Sequence, residues 1–459
     1  MKILPHKLSW LFAAFAFLFS TAIGQDRPPL LQDIVVQTPD QLVQKTGSSE
    51  PATAGAAAVR NPVRTLFPAL AQVDVPGDSG ILIEDLGGKV VMETNADATF
   101  NPASNVKIAT AYAVLKTFGP QFRFLTNVYT DGTIDRSTGT LNGNLYVSGK
   151  DPIFANQHGV ALANELNKLG IRSVTGNLYV TDNFSINYSG SPSTSAVALF
   201  NDLDASKRLP SATKAWLEYL AYSGQVNRVQ GVPSVTFTGQ PFVAGVPSSL
   251  KLLFTHESTP MKEILKATLC YSNNFLAEKL GDMLGGPFAV ARLVQLNANV
   301  PPAEFALATS SGLGYNRVSP NAMMKLLRAL RSDLARYNMT FMDIMPVAGL
   351  DQGTLEDRFD ADWARGSVVG KTGTLGRTDG GASALAGEAN TRNGRLLFVI
   401  FNMHGGVARF RNFQNMLVPI VQAQFGGAAP MKYSPLTIET RLARSRISYP
   451  DRGRGSSEE

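Results

Sequence analysis

Cysteine and histidine are scarce in this 459-residue sequence. The single cysteine, Cys270, cannot form an intrachain disulfide and lacks the neighbours of a nucleophile, so we expect it to be a buried structural residue. The four histidines show none of the paired spacings of metal-binding motifs; they are His6, His158, His256 and His404. These scarcities argue against a disulfide framework and predict that the protein uses neither a metal ion nor another cofactor.

Basic residues exceed acidic ones only slightly and are scattered along the chain. The formal net charge is +6, but no basic run is interleaved with aromatic residues. Nucleic-acid binding is therefore not expected, although the charge is compatible with an anionic polymer as a partner.

Long apolar runs are also lacking, except at the N-terminus. Lys2 and Lys7 precede residues 8–19, which are apolar apart from Ser9, and small residues follow up to Gly24. This pattern is typical of a cleavable secretory signal, and the run is shorter than the roughly 20 residues of a membrane-spanning helix. We therefore expect a signal peptide at residues 1–24, a periplasmic or exported protein, no lipid-anchor cysteine and no spanning segment after cleavage.

Composition divides the remaining chain into segments. Residues 25–72 are rich in Gln, Pro, Thr and Ala and are predicted to be a low-complexity linker, whereas residues 437–459 are predicted to be a disordered basic tail. Between them lies a strand-rich block, residues 121–253, which is enclosed by segments of mixed helix and strand. This order predicts an α+β fold in which one domain, residues 73–120 and 254–428, is interrupted by an inserted domain.

The predicted elements follow from hydrophobic periodicity and turn residues. The strand-like runs are residues 81–84, 90–93, 383–389 and 395–403, and the helical patterns are residues 103–118, 261–281 and 321–332.

The glycine-rich stretch GSVVGKTGTLGRTDGG, residues 366–381, fits two kinds of site. A nucleotide-binding phosphate loop would require glycine at position 365, which is Arg365, and a helix after the lysine. Strand-like residues follow instead. The alternative is a Lys-Thr-Gly strand, Lys371 to Gly373, in which the lysine holds a carboxylate and the glycine lets a substrate approach.

Two further motifs precede this strand. Ser104 and Lys107 form Ser-x-x-Lys at the start of a predicted helix, where residues three apart share a face and the lysine can activate the serine. Ser272 and Asn274 form Ser-x-Asn beside another helical segment. Each motif alone also fits a helix cap or an exposed turn. Together and in this order, the three motifs are the signature of class A β-lactamases and penicillin-binding proteins.

Flanking residues narrow the resemblance. The chain from about residue 80 to 425 resembles the D-alanyl-D-alanine carboxypeptidase/endopeptidase family, the class C low-molecular-mass penicillin-binding proteins. The segments that carry this resemblance are residues 101–107, 271–278, 311–313, 316–320, 346–349 and 370–375.

This resemblance implies a transpeptidase-like fold, with an antiparallel sheet flanked by helices, a helical lobe and an insertion between the first two motifs. It implies that peptidoglycan peptides are the substrates and that β-lactams are covalent inhibitors. By analogy Ser104 would be the nucleophile, Lys107 its base, and Ser272 a proton relay beside the substrate-binding Asn274. The other substrate-binding residues would be Lys371, Thr372, Gly373 and Thr374, with the backbone N–H groups of Ser104 and Thr374 forming the oxyanion hole.

The chain departs from the family pattern in two places. Residues 121–253 form a shorter insertion than we expect, so an accessory domain is reduced or missing, and the loop at residues 376–382 is longer than usual. Two alternatives remain: a β-lactamase, for which no deacylating Glu or Tyr can be located, and a catalytically silent wall-binding protein.

Overall fold

Strands form in this protein mainly where short apolar runs are bounded by glycine, asparagine or aspartate. The computed structural model describes residues 63–226 and 231–450. In chain order, the strands are β1 (Arg64–Thr65), β2 (Asp78–Asp85), β3 (Val90–Thr94), β4 (Leu125–Thr130), β5 (Thr133–Asp135), β6 (Thr140–Asn142), β7 (Leu145–Gly149), β8 (Ser173–Val174), β9 (Leu178–Val180), β10 (Thr236–Phe237), β11 (Pro241–Val243), β12 (Lys251–Glu257), β13 (Phe305–Ala306), β14 (Arg317–Val318), β15 (Val368–Leu375), β16 (Ala382–Thr391), β17 (Gly394–Met403) and β18 (Arg446–Ser448).

Many helices begin with proline, which suits a first turn because its missing N–H needs no partner there. The α-helices are α1 (Pro68–Ala71), α2 (Val106–Phe118), α3 (Asn156–Lys168), α4 (Pro192–Leu203), α5 (Pro210–Ser223), α6 (Met261–Cys270), α7 (Asn274–Asp282), α8 (Pro287–Asn297), α9 (Pro320–Arg336), α10 (Val407–Gln424) and α11 (Ile438–Leu442).

An antiparallel sheet with the order β1-β3-β2-β17-β16-β15 organises the first part of the fold. Its strands alternate between two apolar cores: Leu82 packs with helices α2 and α6 to α9, while Ile81 and Ile83 pack with α10 and α1. β15 lies at one edge, where backbone groups are available to a ligand.

The block between α2 and α6 has an apolar core of its own, drawn from residues 128–254. Its strands form a four-stranded sheet, β10-β8-β6-β5, and five strands of a six-stranded sheet, β11-β9-β7-β4-β12-β18, to which β18 is added from the C-terminal segment. Helices α3 and α4 contribute to this core and α5 packs against α3; none of the three was predicted from the sequence. The expected boundary at residues 253 and 254 falls inside β12, which pairs with β4. The predicted α+β fold class, with a strand-rich block inserted into a sheet-and-helix unit, is confirmed.

The predicted disordered tail is wrong for residues 437–450. β18 pairs with β12 in the inserted block. Arg441 and Arg444 donate to the buried carboxylate of Glu263 on α6, at 2.9 and 2.6 Å. These arginines, which lie in the segment predicted to be disordered, therefore anchor it through ion pairs.

The predicted linker is also too long at its C-terminal end. Residues 63–72 include β1 and α1, and Leu70 is fully buried in the core shared with α10. The expected signal peptide, residues 25–62 of the expected linker and residues 451–459 lie outside the described residues. Within the described part of the chain, no helix combines the length and apolarity needed to cross a bilayer.

Candidate active site

Ser104 and Lys107 lie at the start of α2, on the same face. A 3-10 turn, Ala103–Asn105, leads directly into the helix. The spacing of three residues brings Lys107 Nζ to 3.0 Å from Ser104 Oγ. The predicted nucleophile and base are therefore within hydrogen-bonding distance.

The Lys107 amine has two further partners, both acceptors. It donates to Asn274 Oδ1 at 2.7 Å and to the carbonyl oxygen of Ser311 at 2.6 Å. A neutral amine has two hydrogens, and these acceptors take both. Its lone pair is then left to accept the hydroxyl proton of Ser104.

The environment of Lys107 favours this neutral form. Burial lowers the pKa of the Lys107 amine well below its usual value, and the positive charge of Lys371 lowers it further. The carboxylate of Glu278 acts in the opposite direction. Burial also lowers the pKa of Lys371, to about 7. The Cys270 thiol is itself buried, which raises its pKa to about 12 and keeps it protonated, as expected of a structural cysteine.

The second motif lies in the turn between α6 and α7. Ser272 has a positive φ of 56°, which interrupts the single helix predicted for residues 261–281. Asn273 accepts from the backbone N–H of Leu276 at 3.0 Å and caps α7. Asn274 is consequently the first residue of α7, with its amide directed to Lys107.

Sequence reasoning assigned no role to Glu278 or to Ser311. Glu278 lies one helical turn after Asn274 and accepts from the backbone N–H groups of Ser310 and Ser311, at 3.1 and 2.9 Å. These bonds hold the segment whose carbonyl receives Lys107. The spacing of four residues from Asn274 is the sequence signal that points to Glu278.

The Lys-Thr-Gly motif lies on the edge strand β15. Gly370 N–H donates outwards to the carbonyl of Pro346 at 3.2 Å. By strand alternation, the N–H groups of Thr372 and Thr374 face the same free edge. Lys371 is fully buried, and its Nζ donates to the Thr372 carbonyl at 2.8 Å. The strand thus carries a buried lysine and, along its free edge, N–H groups that do not point toward β16.

Gly373 permits contact between this strand and the turn that carries Ser104. A Cβ atom at Gly373 would lie 2.7 Å from the carbonyl oxygen of Pro102 and 3.0 Å from Ala103 Cβ. The site therefore joins Ser104, Lys107 and Asn274 directly, with Ser272 in the adjoining turn and β15 packed against the nucleophile. The residues described by the structure include no group of three or more His, Cys, Asp or Glu side chains suited to a metal ion.

The family model of the D-Ala-D-Ala carboxypeptidase 3 (S13) family matches residues 66–196 and 227–424. A D-alanyl-D-alanine carboxypeptidase of Actinomadura sp. (strain R39) is 26% identical, covering 72% of this chain and 78% of the relative. A D-alanyl-D-alanine carboxypeptidase DacB of Haemophilus influenzae is 22% identical, covering 68% of this chain and 82% of the relative.

Solved structures share the fold. A predatory endopeptidase of Bdellovibrio bacteriovorus has a TM-score of 0.67 at 22% identity, covering 78% of this chain and 96% of that structure. Penicillin binding protein 4 of Haemophilus influenzae, in complex with a β-lactam, has a TM-score of 0.56 at 21% identity, covering 78% of this chain and 98% of that structure. The resemblance inferred from the motifs is confirmed, and because the family model spans most of the chain, this protein belongs to the D-Ala-D-Ala carboxypeptidase 3 (S13) family of serine peptidases.

Proposed function

We propose that Ser104 is the nucleophile of a serine D,D-peptidase that hydrolyses peptidoglycan stem peptides and cross-links through an acyl-enzyme. One observation supports this most directly: Lys107 Nζ lies 3.0 Å from Ser104 Oγ, beside two acceptors that would use both hydrogens of a neutral amine and leave its lone pair for Ser104. A serine activated by an adjacent base is the usual requirement for acyl transfer.

In the first half of the reaction, Lys107 takes the hydroxyl proton while Ser104 Oγ attacks the carbonyl between two D-alanines. The oxyanion accepts hydrogen bonds from the backbone N–H groups of Ser104 and Thr374, and one such donor contributes roughly 3 kcal/mol to lowering a barrier. Ser272 passes the proton to the departing amine. The C–N bond then breaks, and the acyl group remains on Ser104.

In the second half, water attacks the acyl-enzyme and Lys107 again accepts the proton, so that the acid product leaves and Ser104 is restored. Lys371 in its charged form, with the hydroxyl of Thr372, binds the terminal carboxylate of the substrate. Asn274 both orients Lys107 and binds the substrate amide. Gly373 leaves room for the peptide along β15.

The same arrangement suits β-lactams as covalent inhibitors. A structure of the Bdellovibrio endopeptidase is acylated by penicillin G. In this protein both carboxylate oxygens of Glu278 accept backbone N–H groups, so this carboxylate is engaged in positioning rather than in activating water. This favours slow deacylation, and with it a penicillin-binding protein over a β-lactamase.

Export to the periplasm, through the signal peptide expected at residues 1–24, is part of this proposal because peptidoglycan lies outside the cytoplasm. The proposal also divides the chain into a discontinuous catalytic domain and an accessory domain inserted near residues 121–253. The separate apolar core of the inserted block supports that division.

Labelling with a fluorescent penicillin tests the proposal. We expect a stable covalent adduct on the wild-type protein, none on Ser104→Ala, and no rapid turnover of nitrocefin. Digestion of a monomeric pentapeptide and of a cross-linked dimer then measures carboxypeptidase against endopeptidase activity. An unlabelled but folded wild type contradicts the acyl-enzyme, and rapid nitrocefin hydrolysis would identify a β-lactamase.

A further inference from the structure

The loop that follows the Lys-Thr-Gly strand is tied down by one carboxylate. Asp379 Oδ2 accepts from Asn101 Nδ2 at 2.7 Å and from Arg317 at 3.0 Å, and its Oδ1 accepts from Arg317 at 2.7 Å. The Asp379 side chain is only 8% exposed. Although burial raises its pKa, the hydrogen bonds from Arg317 and Asn101 outweigh this and hold the pKa of Asp379 below its usual range.

Asn101 transmits this contact to the nucleophile. Its side chain is fully buried, its amide nitrogen also donates to the carbonyl of Gly314 at 2.8 Å, and its Oδ1 accepts from the backbone N–H of Ala103 at 3.0 Å. Ala103 has a φ of +45°, a conformation that a residue with a Cβ atom adopts only when its surroundings impose it. Ser104 is the next residue.

These contacts form a continuous path from the loop to the reacting hydroxyl. Asp379 fixes the amide of Asn101, Asn101 holds Ala103 in its strained conformation, and Ala103 sets the direction in which Ser104 leaves the turn. Bidentate contacts from arginine are stronger and more directional than an exposed ion pair. The path therefore provides more orientation than a surface contact would.

We propose that Asp379 is a positioning residue for acylation: it fixes Ser104 through Asn101 and is itself held by Arg317. This inference rests on the proposed role of Ser104 as the nucleophile. It assigns a purpose to the extended loop at residues 376–382, which borders the edge strand of the site. Asp379 contacts no reacting atom and is not a catalytic residue.

The backbone at Asp379 allows clean substitutions, because its φ of +53° suits aspartate, asparagine and glycine. Asp379→Gly removes the carboxylate without adding strain, whereas Asp379→Asn keeps one acceptor oxygen and loses the charge. We expect the acylation rate constant for penicillin to fall roughly tenfold or more in Asp379→Gly, and less in Asp379→Asn, because small misplacements of a nucleophile are costly. The dissociation constant of the initial non-covalent complex should change little.

If Asp379 acts through Asn101, the effects of substituting the two residues should not add, whereas two independent structural defects would add. Asn101→Ala alone should slow acylation, and Asp379→Gly added to it should slow acylation no further, because both changes interrupt one path. A matched control is Glu257→Gln on β12, which breaks the 2.7 Å ion pair between Glu257, whose side chain is 13% exposed, and Arg446 on β18. That control should be acylated at the wild-type rate.

Three outcomes would overturn the inference. The first is that Asp379→Gly is acylated at the wild-type rate. The second is that its effect adds fully to that of Asn101→Ala. The third is that a larger unfolded fraction accounts for the whole loss of acylation rate. A failure of the proposed function is distinguishable, because the wild type would then carry no adduct or Ser104→Ala would still be labelled.

Discussion

Replacing Asn274 with aspartate tests whether Lys107 acts as a neutral base. The change preserves the size of the side chain and its acceptor oxygen, which lies 2.7 Å from Lys107 Nζ. It adds a negative charge at the N-terminus of α7, where the helix dipole favours an acidic residue, so the fold should be retained. The charge should stabilise the protonated form of Lys107.

The magnitude follows from the distance. An opposite charge this close raises the pKa of its partner by roughly 1–3 units, which corresponds to about 1.4–4 kcal/mol. Where acylation is limited by the fraction of neutral Lys107, the rate at a fixed pH should therefore fall roughly ten- to thousandfold. At higher pH the deprotonated amine returns, and the rate should recover toward that of the wild type.

The assay is the rate constant for acylation by a fluorescent penicillin, measured from acid to alkaline pH. The matched control is Asn273→Asp, which adds the same charge one residue earlier, at a capping position that aspartate also suits. We expect the acidic limb to move to higher pH in Asn274→Asp and to stay nearly in place in the control. A uniform rate loss at every pH, without a shift of that limb, would refute the neutral-base argument.

Three other predictions follow from burial and packing. Because the pKa of Lys371 is about 7, its charged form is lost above that pH, so the KM of a substrate with a free terminal carboxylate should rise there while that of its amide does not. Gly373→Ala should destabilise the protein by roughly 1–3 kcal/mol in urea unfolding and slow acylation, whereas Gly376→Ala, where a Cβ atom meets open space, should do neither. Burial lowers the pKa of His256 to about 3, so its contribution to stability is present above its unfolded pKa of about 6.5 and is lost as the pH falls. Between about pH 6.5 and about pH 5 the free energy of unfolding should fall by about 2 kcal/mol. His256→Phe should reduce this acid sensitivity in urea titrations.

Sequence reasoning succeeded where chemistry depends on local spacing. The pair Ser104 and Lys107 could be found because helical geometry places residues three apart on one face. The strand at Lys371 could be found because glycines and strand-like residues exclude a phosphate loop. The carbonyl of Ser311 could not be found in the same way, because a backbone acceptor leaves no trace in the residue type.

Charge and periodicity misled where the fold supplies an unexpected partner. Arg441 was predicted to lie in a disordered tail, since no local pattern indicates its ion pair with the buried Glu263 far away in the sequence. Helix α3, which was not predicted, contains Gly159, a residue of low helix propensity. The structure shows why glycine is there: a Cβ atom would lie 2.8 Å from Asp202 Cβ on α4.

Two glycines that lie far beyond Ser104 in the sequence pack closely against the turn that carries it. A Cβ atom at Gly312 would lie 2.0 Å from the carbonyl oxygen of Ala103, and one at Gly373 would lie 2.7 Å from that of Pro102. The turn before Ser104 therefore packs against backbone from both the Ser-Gly-Leu segment and the edge strand. Close backbone packing is stiff, since neither partner has a side chain that can rotate away. The turn before Ser104 and the Lys-Thr-Gly strand thus meet through the main chain. The same kind of contact gives a structural reason for Gly312 in the Ser-Gly-Leu segment, residues 311–313, which the sequence associated with the family without a role.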